Sequence, residues 1–353
     1  MKRFDYSFLA QGQLPAGFVN LTSAISELKA AGAVRREANP AVFSGLERIA
    51  RVQSVKGSNE IEGIVTSEAR VRAIVNQGSA PANHSEMEIA GYRDALGLVH
   101  EGFTRLDVRE RDILQLHGAM LSYTPQGGGL YKTGDNVIVE LDEAGRRRVR
   151  FAPTPAIETP QAMEQLVYAY MDTRDDGGVN QLLLIPCFVL DFLCVHPFAD
   201  GNGRVSRLLS LLLLYKNGFD AGKYISFEEQ INRSRGQYYE ALRQSSAGWH
   251  GNANSYFPFM EHFLQTLLLC YKELDRRFAV QQSGRVTKKQ RIEATVLNSL
   301  LPVSIREIAE VLPDVSPTTI EAVLGEMVRT GLVEKLGAGR GTKYCRSISP
   351  PAG

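Results

Sequence analysis

Four cysteines and six histidines are all that 353 residues offer to a metal ion or a redox reaction. Cys187, Cys194, Cys270 and Cys345 stand far apart or inside apolar runs, without paired metal-ligand spacing. That usage predicts reduced, buried thiols and a cytosolic compartment. Net charge is nearly absent too: 40 basic against 39 acidic residues leave +1. A chain so balanced has no global attraction to nucleic acid or membrane, and either would need a local patch. The longest apolar run, residues 182–195, is too short for a bilayer and contains Asp191. The first residues, MKRFDYSFLAQGQLPAGFVN, lack the apolar segment of a secretion signal. The expectation is a cytoplasmic protein with no membrane partner. No internal repeat or low-complexity segment is evident.

What is present is the composition of a globular protein, 44% hydrophobic and 22% charged, long enough for two or three domains. Leu21, Ile25 and Leu28 at helical spacing place one helix behind an irregular N-terminal arm. From Pro40 to Gln77 the pattern is helical but broken by "KGSNEIEGI", and residues 83–122 give two more amphipathic helices. The texture then changes: "NVIVELDEAGRRRVRF" predicts a β-hairpin, with Val137 and Val139 alternating, EAG as the turn, and Val149 and Phe151 resuming. A lone hairpin among helices cannot form a core and reads as a flap over something. Helices return over residues 161–171, 179–195 and 205–217, with Gly218 as a C-cap, then around "GQYYEALRQ" and along "SYFPFMEHFLQTLLLCYKELDRRFAV". Polar "QQSGRV" at 281–286 marks a boundary. The fold class is mainly α, divided into residues 1–110, a core over 111–280 and a small unit over 287–347.

Between two strongly apolar helices lies "HPFADGNGR", residues 196–204. A glycine-rich turn entering a helix leaves several backbone N–H groups outward at the positive end of the helix dipole, which suits an anion. Gly201 and Gly203 let a phosphate approach the chain, and Arg204 and Arg207, three apart, share a helix face. Two guanidiniums beside such amides describe a polyphosphate site. Asp200 adds a hard oxygen ligand for Mg²⁺ bridging phosphates, and His196 a proton acceptor. Each residue alone has a bland reading as a cap, a turn or a solvated face. Together, between two buried helices, the charges must face something that compensates them.

H-P-F-A-D-G-N-G-R-V-S-R, residues 196–207, resembles without a gap the HPFx(D/E)GNGRxxR signature of the Fic family of protein adenylyltransferases. The resemblance extends over roughly residues 45–270 and implies a Fic-type helical bundle with a β-hairpin flap. It implies ATP and Mg²⁺, and a target protein carrying a Ser, Thr or Tyr hydroxyl, with self-modification included. His196 would be the general base and Asp200 the metal ligand. Gly201, Asn202 and Gly203 would line the phosphate nest, Arg204 and Arg207 would grip the β- and γ-phosphates, and Phe198 would anchor the loop in the core. Tyr238 and Tyr239 match paired aromatics near the adenosine, and Val137, Ile138 and Val139 sit where the flap would register an extended target segment. The phosphotransferase branch typified by Doc toxins differs in the glycine-asparagine-glycine stretch, which is intact here and favours AMP transfer.

"SNEIEG", residues 58–63, is similar to the (S/T)xxxE(G/N) inhibitory motif of that family, with Ser58, Glu62 and Gly63 in place. Its position before the core implies the N-terminal inhibitory group. A carboxylate at Glu62 could pair with Arg207 and occupy the γ-phosphate space, or position water to remove AMP. Residues 287–347 read as helix, helix-turn-helix and hairpin, a winged helix. Ser316 serves as N-cap, Pro317 stands at the first helical position, and Arg340 and Lys343 lie on the wing. Glu321 and Glu326 on its second helix favour a protein partner, while the wing cations keep DNA open. The alternatives to an adenylyltransferase are a phosphotransferase and a nucleotide-sensing winged-helix regulator without catalysis.

Overall fold

The computed structural model describes residues 2–141, 146–282, 287–297, 299 and 302–347. Six helices come first: α1 (Phe8–Gln11), α2 (Ala16–Ala38), α3 (Pro40–Ile61), α4 (Glu68–Gln77), α5 (His84–Gly102) and α6 (Glu110–Met120). An antiparallel hairpin follows, β1 (Ile138–Leu141) with β2 (Arg147–Phe151). Next come α7 (Thr159–Asp176), α8 (Gln181–Val195), α9 (Asn202–Lys216), α10 (Phe227–Arg233), α11 (Arg235–Ser246) and α12 (Phe257–Gln282). The chain ends in α13 (Lys288–Leu297), α14 (Ile305–Val311), α15 (Pro317–Arg329) and a second hairpin, β3 (Val333–Leu336) with β4 (Lys343–Arg346). The fold is mainly helical, with two small sheets.

α8 and α9 are the centre. Ile185, Phe188, Leu190 and Phe192 on α8, with Leu208, Leu209, Leu211 and Leu212 on α9, have no solvent exposure. Burying each such side chain contributes about 1.5–3 kcal/mol. The nine-residue loop singled out in the sequence therefore joins the two best-packed elements. α7 lies on α8, α5 and α6 on α9, and α2 runs along α12.

Asp191, the acid inside the apolar run, is fully buried and ties the N-terminal arm to this centre. It accepts hydrogen bonds from Tyr6 (2.9 Å), Trp249 Nε1 (2.6 Å) and Tyr256 (2.9 Å). Burial raises its pKa, against the charge of Lys2 and these three donors.

Three expectations change. "KGSNEI" does not interrupt the helices, because α3 runs through it to Ile61 and only Glu62 caps it. The glycine that suggests a break is there for packing: a Cβ on Gly57 would stand 3.0 Å from the Glu229 amide of α10. Asn59 turns back on its own helix, donating to the Val55 carbonyl at 2.7 Å. Val137 lies before β1 rather than in it. The helix expected from 205 begins at Asn202, so the glycine-asparagine-glycine stretch already forms its first turn. The EAG turn and most of QQSGRV lie outside the described residues.

α13–α15 and β3–β4 form a unit closed by pairing of Val303 with Tyr344. Ser316 caps α15, its hydroxyl accepting from the Thr319 amide at 3.2 Å, with Pro317 next. This unit rests on α3 and α4. A Cβ on Gly45 of α3 would meet the Glu310 carbonyl of α14 at 2.7 Å. Arg48 pairs with Glu310 at 3.3 Å, Lys343 with Glu68 at 2.5 Å, and Arg72 with Glu307. Among the described residues no helix is long and apolar enough to cross a membrane.

Candidate active site

His196 ends α8 in the left-handed conformation, φ 51°, which turns the chain sharply into the loop. Its Nδ1 lies 3.2 Å from the Leu193 carbonyl. A carbonyl only accepts, so Nδ1 carries the proton and Nε2 keeps its lone pair. The imidazole pKa is pushed down to about 4, chiefly by burial. The Leu193 carbonyl and Glu62 oppose the shift, while Lys132 and Arg150 add to it. At neutral pH the ring is an uncharged proton acceptor.

The loop beyond His196 is braced at nearly every residue. The Lys132 amide donates to the Pro197 carbonyl at 2.9 Å, and its ammonium reaches Val195 O (3.3 Å) and Asn136 Oδ1 (2.9 Å). Asn136 donates to the Phe198 carbonyl at 3.1 Å. Phe198 is fully buried, its ring stacked on His117 with centroids 3.7 Å apart. His117 accepts from the Gly129 amide at Nδ1 (2.9 Å), so Nε2 carries the proton toward the Asp200 carbonyl at 3.2 Å.

Asn202 closes the loop on itself. Its side chain accepts from the Phe198 amide (2.9 Å) and donates to the Phe198 carbonyl (2.8 Å). It is buried and braces the loop, away from the cavity wall. Gly201, φ 79°, backs onto Met120 and His117. Asp200 points outward, its side chain 74% exposed, and accepts from the Gly201 amide at 2.6 Å.

A cavity of about 640 Å³ opens beside the loop, walled by His196, Gly203, Arg207 and Glu62 at one end. Tyr238, Tyr239 and Leu242 of α11 and Leu190 and Leu193 of α8 form its apolar wall, and Val137, Ile138, Val139, Arg150 and Phe151 close it from the flap. The unpaired amides that open α9 stand at the Gly203 end.

Arg207, 2% exposed, pairs with Glu62 at 2.8 Å and donates to the Ser58 hydroxyl (2.8 Å) and carbonyl (2.9 Å). Burial pushes its pKa down more than any other single cause, but Glu62 together with Tyr238 and Tyr92 carries the balance upward. Its Nη1, next to Gly203, has no acceptor among the described residues. Glu62 itself lies against Gly203, where a Cβ would collide with Oε1. Gly63, φ 79°, takes the left-handed turn that ends α3 and leaves Glu62 in this position.

The sequence pattern had placed Arg204 beside Arg207, and the structure separates them. Arg204 is 1% exposed and pairs with Glu88 of α5 at 2.6 Å and with Asp200 at 3.4 Å. It braces the helix start from behind, and neither it, Asp200, Gly201 nor Asn202 walls the cavity. Tyr238 and Tyr239 do, with the Tyr239 hydroxyl 3.4 Å from the Ile61 carbonyl. Glu88, Lys132, Asn136 and His117 carry no pattern that spacing could have revealed, because each acts across a long stretch of chain.

Residues 106–214 match the Fic/DOC family model. The curated protein adenylyltransferase Fic of Nematostella vectensis is 25% identical over 228 residues, 62% of this chain and 48% of that protein. A Fido domain-containing protein of Dictyostelium discoideum is 29% identical over 110 residues, 30% of this chain and 73% of that one. The chain spans about half the length of the protein adenylyltransferases it matches. A Fic family protein from Desulfovibrio desulfuricans has the same fold from end to end. Its TM-score is 0.62 at 22% identity, covering 96% of this chain and 98% of that one.

Proposed function

We propose that the chain transfers AMP from ATP to a Ser, Thr or Tyr hydroxyl of a target polypeptide and is held back by Glu62. The observation that carries this reading is the Glu62–Arg207 pair at 2.8 Å, in one cavity with the neutral imidazole of His196. A buried guanidinium beside free helix-start amides is a phosphate site, and here a carboxylate of the same chain fills it. Relatives named protein adenylyltransferase support the chemistry.

The chain's own groups divide the work. Arg207 and the first amides of α9 would hold the outer phosphates and offset charge on departing pyrophosphate. Tyr238, Tyr239 and Leu242 offer the apolar wall that a purine needs. His196 Nε2 takes the proton of the acceptor hydroxyl as its oxygen bonds to the α-phosphorus. The bond from that phosphorus to the bridging oxygen breaks, and pyrophosphate leaves. Arg204 contributes through the loop, since Glu88 already neutralises it.

Among the described residues no cluster of three His, Cys, Asp or Glu could hold a metal alone. Mg²⁺ commonly binds one or two carboxylates and completes its shell with phosphates and water. Asp200, exposed at the start of α9, is the residue that would hold it. The ion would neutralise phosphate charge there.

The C-terminal unit has the helix and hairpin order of a winged helix, and we read it as a protein-binding module. Lys343 on the wing is spent on Glu68 of α4, and Glu321 stands exposed on α15. The side chain of Arg340 lies outside the described residues.

Incubating Glu62→Gly with ATP labelled at the α- or γ-phosphate tests the reading. Label from the α-position on protein, lost in Glu62→Gly/His196→Ala, is expected. Label from the γ-position would make the chain a phosphotransferase. Nucleotide binding without either label would make it a sensor.

A further inference from the structure

The flap sequence holds a basic run, Arg146, Arg147, Arg148 and Arg150, after Glu140, Asp142 and Glu143. The register sets Arg148 opposite Glu140 and Arg147 opposite Leu141, while Arg150 has no partner position in it. Ile138 pairs with Phe151 and Val139 with Val149, which leaves Arg150 as the extra residue of a β-bulge. In a regular strand neighbours 150 and 151 would point to opposite faces. The bulge lets both Arg150 and Phe151 wall the cavity.

Arg150 makes no hydrogen bond or ion pair with any described residue, and its Nε is sealed from solvent. The two acids that wall the cavity are already engaged, Glu62 with Arg207 and Glu240 with Arg243. A half-buried cation with an enclosed, unpartnered donor is costly unless an anion arrives. The nucleotide's outer phosphates have their own partners in Arg207 and the start of α9. Arg150 instead stands on the flap strand and shares the cavity wall with Val137, Val139 and His196.

We propose that Arg150 is a specificity-determining residue that receives an Asp or Glu side chain of the incoming polypeptide next to the acceptor hydroxyl. The inference rests on the transfer reading above and adds a target chemistry to it, an acceptor flanked by acid. The bulge aims the guanidinium, and the bidentate fork selects a carboxylate over an amide of the same shape.

The test uses the full chain carrying Glu62→Gly and a peptide array. Each peptide presents one Ser, Thr or Tyr with Asp, Asn or Lys within two residues of it. AMP incorporation is expected to favour Asp over Asn about tenfold, the scale of one partly buried charge-assisted pair. Arg150→Gln should level Asp and Asn to within about twofold, and Arg150→Glu should shift the preference to Lys. A role in folding alone would not produce that reversal.

ATP and adenosine affinities, read from fluorescence of labelled analogues, separate the nucleotide from the target. If Arg150→Gln weakens ATP but not adenosine, the partner is a phosphate and the proposal fails. It fails equally if the acid preference survives Arg150→Gln, or if Glu62→Gly labels itself but no acidic peptide. Absence of both self-labelling and peptide labelling instead removes the transfer reading beneath it.

Discussion

Replacing Glu62 by glycine should move two quantities in opposite directions. In the resting protein the carboxylate is the counter-charge of a guanidinium only 2% exposed. Removing one member of a buried pair costs about 3–5 kcal/mol when the other is stranded. Here the loss is smaller. The Glu62 side chain is 32% exposed, and Arg207 keeps its bonds to the Ser58 hydroxyl and carbonyl. About 1–3 kcal/mol of stability should go, seen as a melting temperature lower by a few degrees. On the proposed reading, the same contact is given up when a γ-phosphate enters. Its removal therefore tightens ATP by a similar amount, roughly 5- to 150-fold at about 1.4 kcal/mol per decade. Differential scanning fluorimetry with and without ATP and Mg²⁺ reads both effects in one plate. The variant should melt lower alone and gain more on adding ATP, and α-phosphate labelling should rise in step. Equal ATP-induced shifts in the two proteins, with equal labelling, would refute the competition argument.

Four further outcomes rest on the geometry. Ser58→Ala removes only the hydroxyl that holds Arg207 Nε, so labelling should fall between wild type and Glu62→Gly; labelling at or below wild type would count against Ser58 as part of the restraint. His100 is pushed down to about 3, and His117, His196 and His262 to about 4, each chiefly by burial. The unfolded chain then binds more protons as pH falls through about 6.5, so each costs stability between there and about 4, while the raised carboxyls of Asp191, Glu228 and Glu229 work the other way. Comparing melting temperatures of wild type and His262→Gln isolates one member. The variant should lose less between pH 7.5 and 5, and parallel curves would contradict the assignment. Gly45→Val must push the α14 backbone away and should destabilise by about 1–3 kcal/mol. Gly32→Ala, in α2 with open space around it, should stabilise by about 0.5–1 kcal/mol; melting temperatures check both signs.

Helices announced themselves wherever one apolar face meets one core, as in α8, α9 and α12, and Ser316–Pro317 marked the start of α15 by local chemistry alone. The loop at 196–204 was legible because polar residues between two buried helices require a reason. Legibility failed where a partner lies far along the chain. Arg204 and Arg207 look equivalent three residues apart, yet Glu88, from another helix, takes one and Glu62 the other. Gly57 reads as a breaker because sequence cannot show that α10 crosses there. The bulge that turns Arg150 inward depends on one skipped residue of register, which no alternation pattern encodes.

The rod that delivers Glu62 is gripped at both of its ends. Gly45, where α14 presses against it, lies 17 positions before that carboxylate, about 25 Å along a rigid helix. A displacement of α14 would therefore be carried along α3 to the Glu62–Arg207 pair.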